Sequence, residues 1–235
     1  MQAEVPDAKG ESGPMAGKRG GQVIREMLED DSWEDLTALL HEAYREHFLA
    51  GRDYAACSQS VEETRQRCQG GTTLLAFADG RLEGTATMHE RMHFGRPCGY
   101  VSQVAVSPGC RGMGTGRKLL ESLETIAKEK GVDLLECNTA ATARRLVAWY
   151  QRQGWQKVSL RSYEATNYYS VVFRKKLDGK RHARTAWHYP VDWMACHLLW
   201  RKDGELRLLG KIAWHLGHFR FLRPGHLSRA VTRLP

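Results

Sequence analysis

The residues best placed to do chemistry stand six in a row: Arg111-Gly112-Met113-Gly114-Thr115-Gly116. Glycines there let the backbone take positive φ and let a ligand approach the main chain closely. Before the run comes an apolar, β-branched stretch, residues 101–106; after it Leu119, Leu120 and Leu123 fall on one helical face. Ser107 and Pro108 end the stretch, because proline has no N–H for a sheet ladder. A glycine loop feeding a helix start offers unbonded N–H groups and the positive end of the helix dipole. The chemistry it invites is the holding of a phosphate or diphosphate. Spacing excludes two familiar phosphate loops. A GxxxxGK[ST] loop needs Ser or Thr after its lysine, and here Lys118 is followed by Leu119. A GxGxxG loop fails because the glycines fall at 112, 114 and 116. The plain alternative is a strand-to-helix turn with incidental glycines. Cys110, just before the run, reads as a small residue and not as a nucleophile.

The elements that must hold this loop can be read from periodicity and punctuation. Residues 22–27 form a short first strand. Asp31 or Ser32 caps a helix running to Phe48, with Leu36, Leu39, Leu40, Ala43 and Tyr44 as its apolar stripe and Gly51 as its stop. Ser60 and Glu63 form a capping box that opens a second helix to Cys68. Strands at 72–78 and 81–91 are joined by Asp79-Gly80, a hairpin signal. Residues 92–99, with Gly95 and Pro97, read as a turn into a strand at Tyr100. The helix after the glycine run reaches Lys130, with Gly131 as its C′ residue. A strand at 132–138, a helix at 139–153 ended by Gly154, and strands at 155–160 and 167–175 complete the order β-α-α-β-β-β-α-β-α-β-β.

Composition narrows the classes. The chain has 235 residues, 42% of them hydrophobic, enough for one domain with a core plus extra material. It contains no apolar run long enough to cross a membrane as a helix, and no apolar segment of signal-peptide type near its start. Cysteines at 57, 68, 98, 110, 137 and 196 form no CxxC pair and read as free thiols of a reducing, cytoplasmic setting. Residues 1–21 are rich in Gly, Ala and charge and read as disordered; Met15 could serve as the start as well as Met1. The formal net charge of +8 is uneven: residues 179–235 hold eleven Lys and Arg against three Asp and Glu, and the remainder balances. That basic extension also holds four of seven Trp and six of ten His, with helical patterns at 191–200 and 206–219. It suits docking on its own domain, on a second copy, or on a membrane surface. His215 and His218 have helical spacing for a metal pair but lack acidic or Cys companions, so no metal is expected. No nucleic-acid recognition motif accompanies the charge, and no nucleic-acid partner is expected.

The run Val104-Ala105-Val106-Ser107-Pro108, followed by Arg111, Gly114 and Gly116 in the pattern [RQ]xxGx[GA], resembles motif A of the GNAT superfamily of acetyl-CoA-dependent N-acetyltransferases. Ala148-Trp149-Tyr150-Gln151-Arg152-Gln153-Gly154-Trp155 is similar to that superfamily's Y-x-x-x-G-F signature, with Trp for Phe, and residues 170–177 resemble its final strand. The resemblance implies an α/β (mixed α+β) fold over residues 22–178: a mostly antiparallel sheet with one splayed parallel pair, helices on both faces, and the extension at 179–235. It implies acetyl-CoA as co-substrate and a small-molecule or peptide amine as acceptor. Val104, Ala105 and Val106 would then bond the pantetheine arm and thioester carbonyl through the main chain. Residues 111–116 (Arg111, Gly112, Met113, Gly114, Thr115, Gly116) would grip the diphosphate, with the Arg111 side chain adding a charged contact. Tyr150 would protonate the leaving thiolate. The strand before the loop offers Ser102 and Gln103 where many relatives have a carboxylate. Glu136 is therefore the base candidate, with Glu90 and His89 behind it; a water relay is the alternative. An Asn expected seven residues before Tyr150 is Ala143 here, and Asn138 is the substitute for its contact with the arm.

Overall fold

The computed structural model describes residues 21–179, except 94, 164 and 165. The expectations for residues 1–20 and for the extension from 180 onward, including both helices there, lie outside the described residues. Seven strands and four α-helices follow one another as β1 (Val23–Glu26), α1 (Trp33–Leu49), α2 (Val61–Cys68), β2 (Thr72–Ala78), β3 (Arg81–His93), β4 (Arg96–Val106), α3 (Thr115–Glu129), β5 (Leu134–Ala140), α4 (Arg144–Arg152), β6 (Gln156–Ser162) and β7 (Tyr169–Lys176). The strands form one sheet in the order β1-β2-β3-β4-β5-β7-β6, antiparallel throughout except for the β4–β5 pair. The expected mixed fold is the observed one.

Each face of the sheet buries its own apolar set. On one face Leu119, Leu120, Leu123 and Ala127 of α3 join Leu74, Ala86, Met88, Val101, Leu135, Cys137, Tyr150, Trp155 and Phe173. On the other, Leu36, Leu40 and Ala43 of α1 pack with Cys68, Leu75 and Ala105. Successive strand residues point to opposite faces. Val101 and Ala105 nevertheless serve opposite cores although four positions apart. The reason is a bulge: Thr85 pairs with Ala105 while Thr87 pairs with Ser102, so β4 carries one extra residue there. Gln103 absorbs it at φ +51°.

Two boundaries differ from the expectation by more than two residues. The stretch 92–99 is strand almost to the tip: Met92 pairs with Pro97 and Glu90 with Gly99. Pro97 is tolerated because it sits one pair from the end of the ladder. Gly99 is there for packing, since a Cβ on it would lie 2.6 Å from a Leu135 methyl and 2.7 Å from the Met88 sulfur. Second, α4 starts at Arg144, five residues later than expected, because Thr139 and Ala140 stay in β5 opposite Val171 and Ser170.

Candidate active site

The parallel seam between β4 and β5 is two residues long. Gly99 pairs with Leu135 and Tyr100 with Glu136, and beyond them the strands part. The bulge at Gln103 bends β4 just there. A notch opens between residues 101–106 and 137–140. Its walls carry main-chain groups that a completed ladder would have used. The Ser107 N–H bonds Glu83 O at 2.8 Å, on the β3 side. By the two-residue period Val104 and Val106 turn theirs toward the notch. Two phenols reach in. The Tyr44 hydroxyl, from α1, donates to Val104 O at 3.1 Å. The Tyr54 hydroxyl accepts from Ala140 N at 2.8 Å and lies 2.7 Å from Thr139 Oγ1. Tyr44 and Tyr54 meet edge to face at 5.3 Å, and Tyr168 packs on Tyr54 at 4.9 Å. Desolvation raises the phenol pKa of all three.

At the mouth of the notch lies the glycine turn. Gly112 and Gly114 have φ of +81° and +88°, and a Cβ on either would meet nothing within 4 Å. The turn is open to solvent. Gly114 is the N-cap of α3, so no side chain caps the helix, and its first turn holds no acid. Lys118 N is the first amide bonded back into the helix, to Gly114 O at 3.0 Å. The N–H groups of Thr115, Gly116 and Arg117 have no intrahelical acceptor. Gly116 serves contact instead: a Cβ there would lie 3.2 Å from the Trp149 ring and 3.4 Å from a Val106 methyl. The Arg111 guanidinium turns back to α1. It donates to Ala43 O at 2.6 Å and pairs with Glu46 at 3.0 Å. It thereby fastens the turn to α1, a role the sequence reading did not foresee.

Tyr150 lies below the notch on the α3 side of the sheet. Its ring stacks on Phe173 at 5.4 Å and meets Trp149 and Trp155 edge-on, and its hydroxyl donates to the Cys137 thiol. Burial, then the neighbouring Cys137, Tyr44 and Tyr54, push its pKa well above that of an ordinary phenol. The same burial pushes the Cys137 thiol up. The Tyr150 spacing also has a local cause. Trp155 N bonds Tyr150 O and Gly154 N bonds Gln151 O, with Gly154 at φ +84°. This is a Schellman stop, whose usual apolar contact is here the Tyr150–Trp155 pair at 5.7 Å.

The structure does not bring Glu136 to Tyr150. Leu135 and Cys137 face the α3 core, so Glu136 and Asn138 face the other way. Glu136 Oε2 is bound to Arg174 Nε at 2.8 Å, both side chains largely buried. Asn138 donates to the hydroxyls of Tyr100 at 2.8 Å and Tyr163 at 3.4 Å. Ser102 pairs with Thr87 of β3, and Gln103 donates to Gln59 at 3.4 Å. Glu90 pairs with Lys130, and His89 rests on Gln69 O at the end of α2. The sequence showed Tyr44 only as part of an apolar stripe, and Tyr54 lies in the connection between the first two helices. Nothing local marks either: their notch partners are 60 and 86 residues away.

Comparison with known proteins agrees with this geometry. The model of the acetyltransferase (GNAT) family matches residues 33–155. A mycothiol acetyltransferase of Propionibacterium freudenreichii is 28% identical over 136 residues, which is 55% of this chain and 42% of that one. An aminoalkylphosphonate N-acetyltransferase of Salmonella typhimurium is 28% identical over 93 residues, 39% of this chain and 60% of that one. The aligned stretches thus span less than two thirds of either relative. A GNAT-family acetyltransferase of Elizabethkingia anophelis, solved with acetyl-CoA bound, shares the fold with a TM-score of 0.50 at 15% identity, over 66% of this chain and 97% of that one. The match runs from the start of α1 through the notch, the glycine turn and α4 to Trp155, and this chain belongs to the GNAT acetyltransferase family.

Proposed function

We propose that the chain is an N-acetyltransferase that moves an acetyl group from acetyl-CoA to a primary amine, by direct attack while both are bound. The observation that carries this reading is the notch beside a bare helix start, with the turn between them open to solvent. Acetyl-CoA would supply the activated acyl group as a thioester. The amides of residues 112–117 suit its diphosphate. The notch-facing groups of Val104 and Val106 suit its amide-bearing arm and thioester carbonyl. The phenol contacts of Tyr44 on Val104 and Tyr54 on Ala140 must yield as that arm enters.

Tyr150 keeps its proton across the working range, because burial holds its phenol neutral. Its part is to donate a hydrogen bond toward the leaving sulfur, from which Cys137 is the present acceptor. Glu136 is engaged by Arg174, so an amine that arrives deprotonated, or a water relay, takes the place of a carboxylate base in contact with it. The named activities of both curated relatives, on mycothiol chemistry and on aminoalkylphosphonates, support an amine-bearing acceptor. The free thiols of Cys57, Cys68, Cys98, Cys110 and Cys137 support a reducing, cytoplasmic setting.

Thiol release from acetyl-CoA, followed across an amine library, tests the reading. Release with at least one amine is expected. Tyr150→Phe should lower kcat about tenfold or more with little change in CoA affinity. Tight CoA binding with no release from any amine would instead favour a second reading, a CoA-binding or partner-tethering module. The engaged Glu136 is the observation behind that alternative.

A further inference from the structure

On the α1–α2 side of the sheet the apolar cluster includes no residue of β5, β6 or β7. Apart from Val172, what stands on that part of the face is largely polar and charged. Arg91 and Tyr100 share it through β3 and β4, Glu136 and Asn138 through β5, Arg174 through β7 and Arg161 through β6, since Met88, Val101, Leu135, Cys137, Phe173 and Leu160, an odd number of positions away on the same strands, lie in the opposite core. Among the described residues, one carboxylate, that of Glu136, stands with three guanidiniums on this face. Arg174 takes the carboxylate at 2.8 Å. Arg91 lies flat over the Tyr100 ring at 3.8 Å. Arg161 donates to the Tyr163 hydroxyl, and its Nε is buried with no hydrogen-bond partner. Among the described residues neither Arg91 nor Arg161 pairs with an acid.

A buried guanidinium N–H without an acceptor asks for an explanation. The same group in fork geometry is suited to a planar or tetrahedral oxyanion. Asn138 Nδ2 and the Tyr100 and Tyr163 hydroxyls add neutral donors beside it. The place matters as much as the charge. Tyr100 and Glu136 form the last paired register of the seam, so this cluster borders the notch on the side away from Tyr150.

We infer that the acceptor amine carries an oxyanion, a carboxylate or a phosphonate or phosphate group, which seats on Arg161 and Arg91 while the amine reaches into the notch. This rests on the acetyl-transfer reading for the amine and on the arginine cluster for the anion, and the two can fail separately. The experiment compares 2-aminoethylphosphonate, β-alanine and the neutral ethanolamine as acceptors for the full chain, by thiol release. Binding of 2-aminoethylphosphonate to the CoA-saturated protein is measured alongside by calorimetry. The expected result is kcat/KM at least tenfold higher for the anionic amines, with measurable binding of the phosphonate. Arg161→Gln should bring that ratio close to one by raising KM for the anionic amines, and Arg161→Lys should restore part of it. Ethanolamine used as well as the phosphonate would overturn the anion site and leave acetyl transfer standing. So would absence of phosphonate binding, or an Arg161→Gln variant that keeps the ratio. Phosphonate binding that Arg161→Gln removes, with no thiol release from any amine, would support the anion site and sink acetyl transfer.

Discussion

Two helix beginnings in this molecule are built on opposite plans. At α2 the Ser60 hydroxyl accepts from Glu63 N at 3.1 Å, and the Glu63 carboxylate accepts from Ser60 N at 2.7 Å, so the helix closes its own start. Ser32 and the acids Glu34 and Asp35 do similar work at α1. At α3 a glycine at φ +88° stands where the cap belongs, with no acid in the first turn and Arg117 and Lys118 next in line. A start that satisfies itself is structure alone. One that leaves amides bare and carries no negative charge gives up a few tenths of a kcal/mol of capping and the favourable pairing of an acid with the helix dipole, and stays open to an anion.

The largest expected effect breaks that contrast by giving α3 the acid it lacks. Gly114→Asp should weaken CoA binding about 100-fold or more, read by calorimetry, because a carboxylate meets a diphosphate at close range. Gly114→Ala isolates the backbone strain of a positive φ and should lose much less. Next, Gly116→Val tests whether the bare start depends on close packing with Trp149 and Val106. It should cost about 1–3 kcal/mol of stability in thermal or urea unfolding. Ser60→Ala sharpens the contrast from the other side: about 1 kcal/mol lost, a fall in Tm of about 2–4 °C, and CoA affinity unchanged. The smallest effect is in pH. The Ser60 backbone N–H, then its hydroxyl, hold the Glu63 carboxyl below its ordinary range. A depressed carboxylate adds stability above its unfolded pKa and loses it as pH falls through the folded one. The Tm gap between wild type and Ser60→Ala should therefore narrow below about pH 4.3, as melts between pH 3 and 7 would record.

What could be read from the chain follows the same division between local and distant causes. The Ser60–Glu63 box, the Asp79-Gly80 hairpin and the glycine turn each carry their reasons within a few residues, and each stands where it was expected. The strand through Pro97 was hidden because Gly95, Pro97 and Gly99 cluster like turn residues. Only the distant Leu135 and Met88 explain why Gly99 is small. Residues 139–143 read as helix because Thr139 and Ala140 meet their strand partners, Val171 and Ser170, only in three dimensions. In the site, the glycine turn and the helix start that follows it were legible. The engagement of Glu136 by Arg174, 38 residues away, was not, nor was the anchoring of Arg111 to Ala43, 68 residues back. No spacing rule encodes such long-range partners.

The brevity of the β4–β5 contact has a mechanical consequence. Seven strands are divided into a plate of four and a plate of three, stitched at Gly99–Leu135 and Tyr100–Glu136. A molecule lying in the gap lengthens the stitching, so occupancy should slow amide exchange at Val104 and Ala140 more than in the distant hairpin of β2 and β3. On the acetyl-transfer reading, bound acetyl-CoA would act as a splint and make the sheet continuous across the gap.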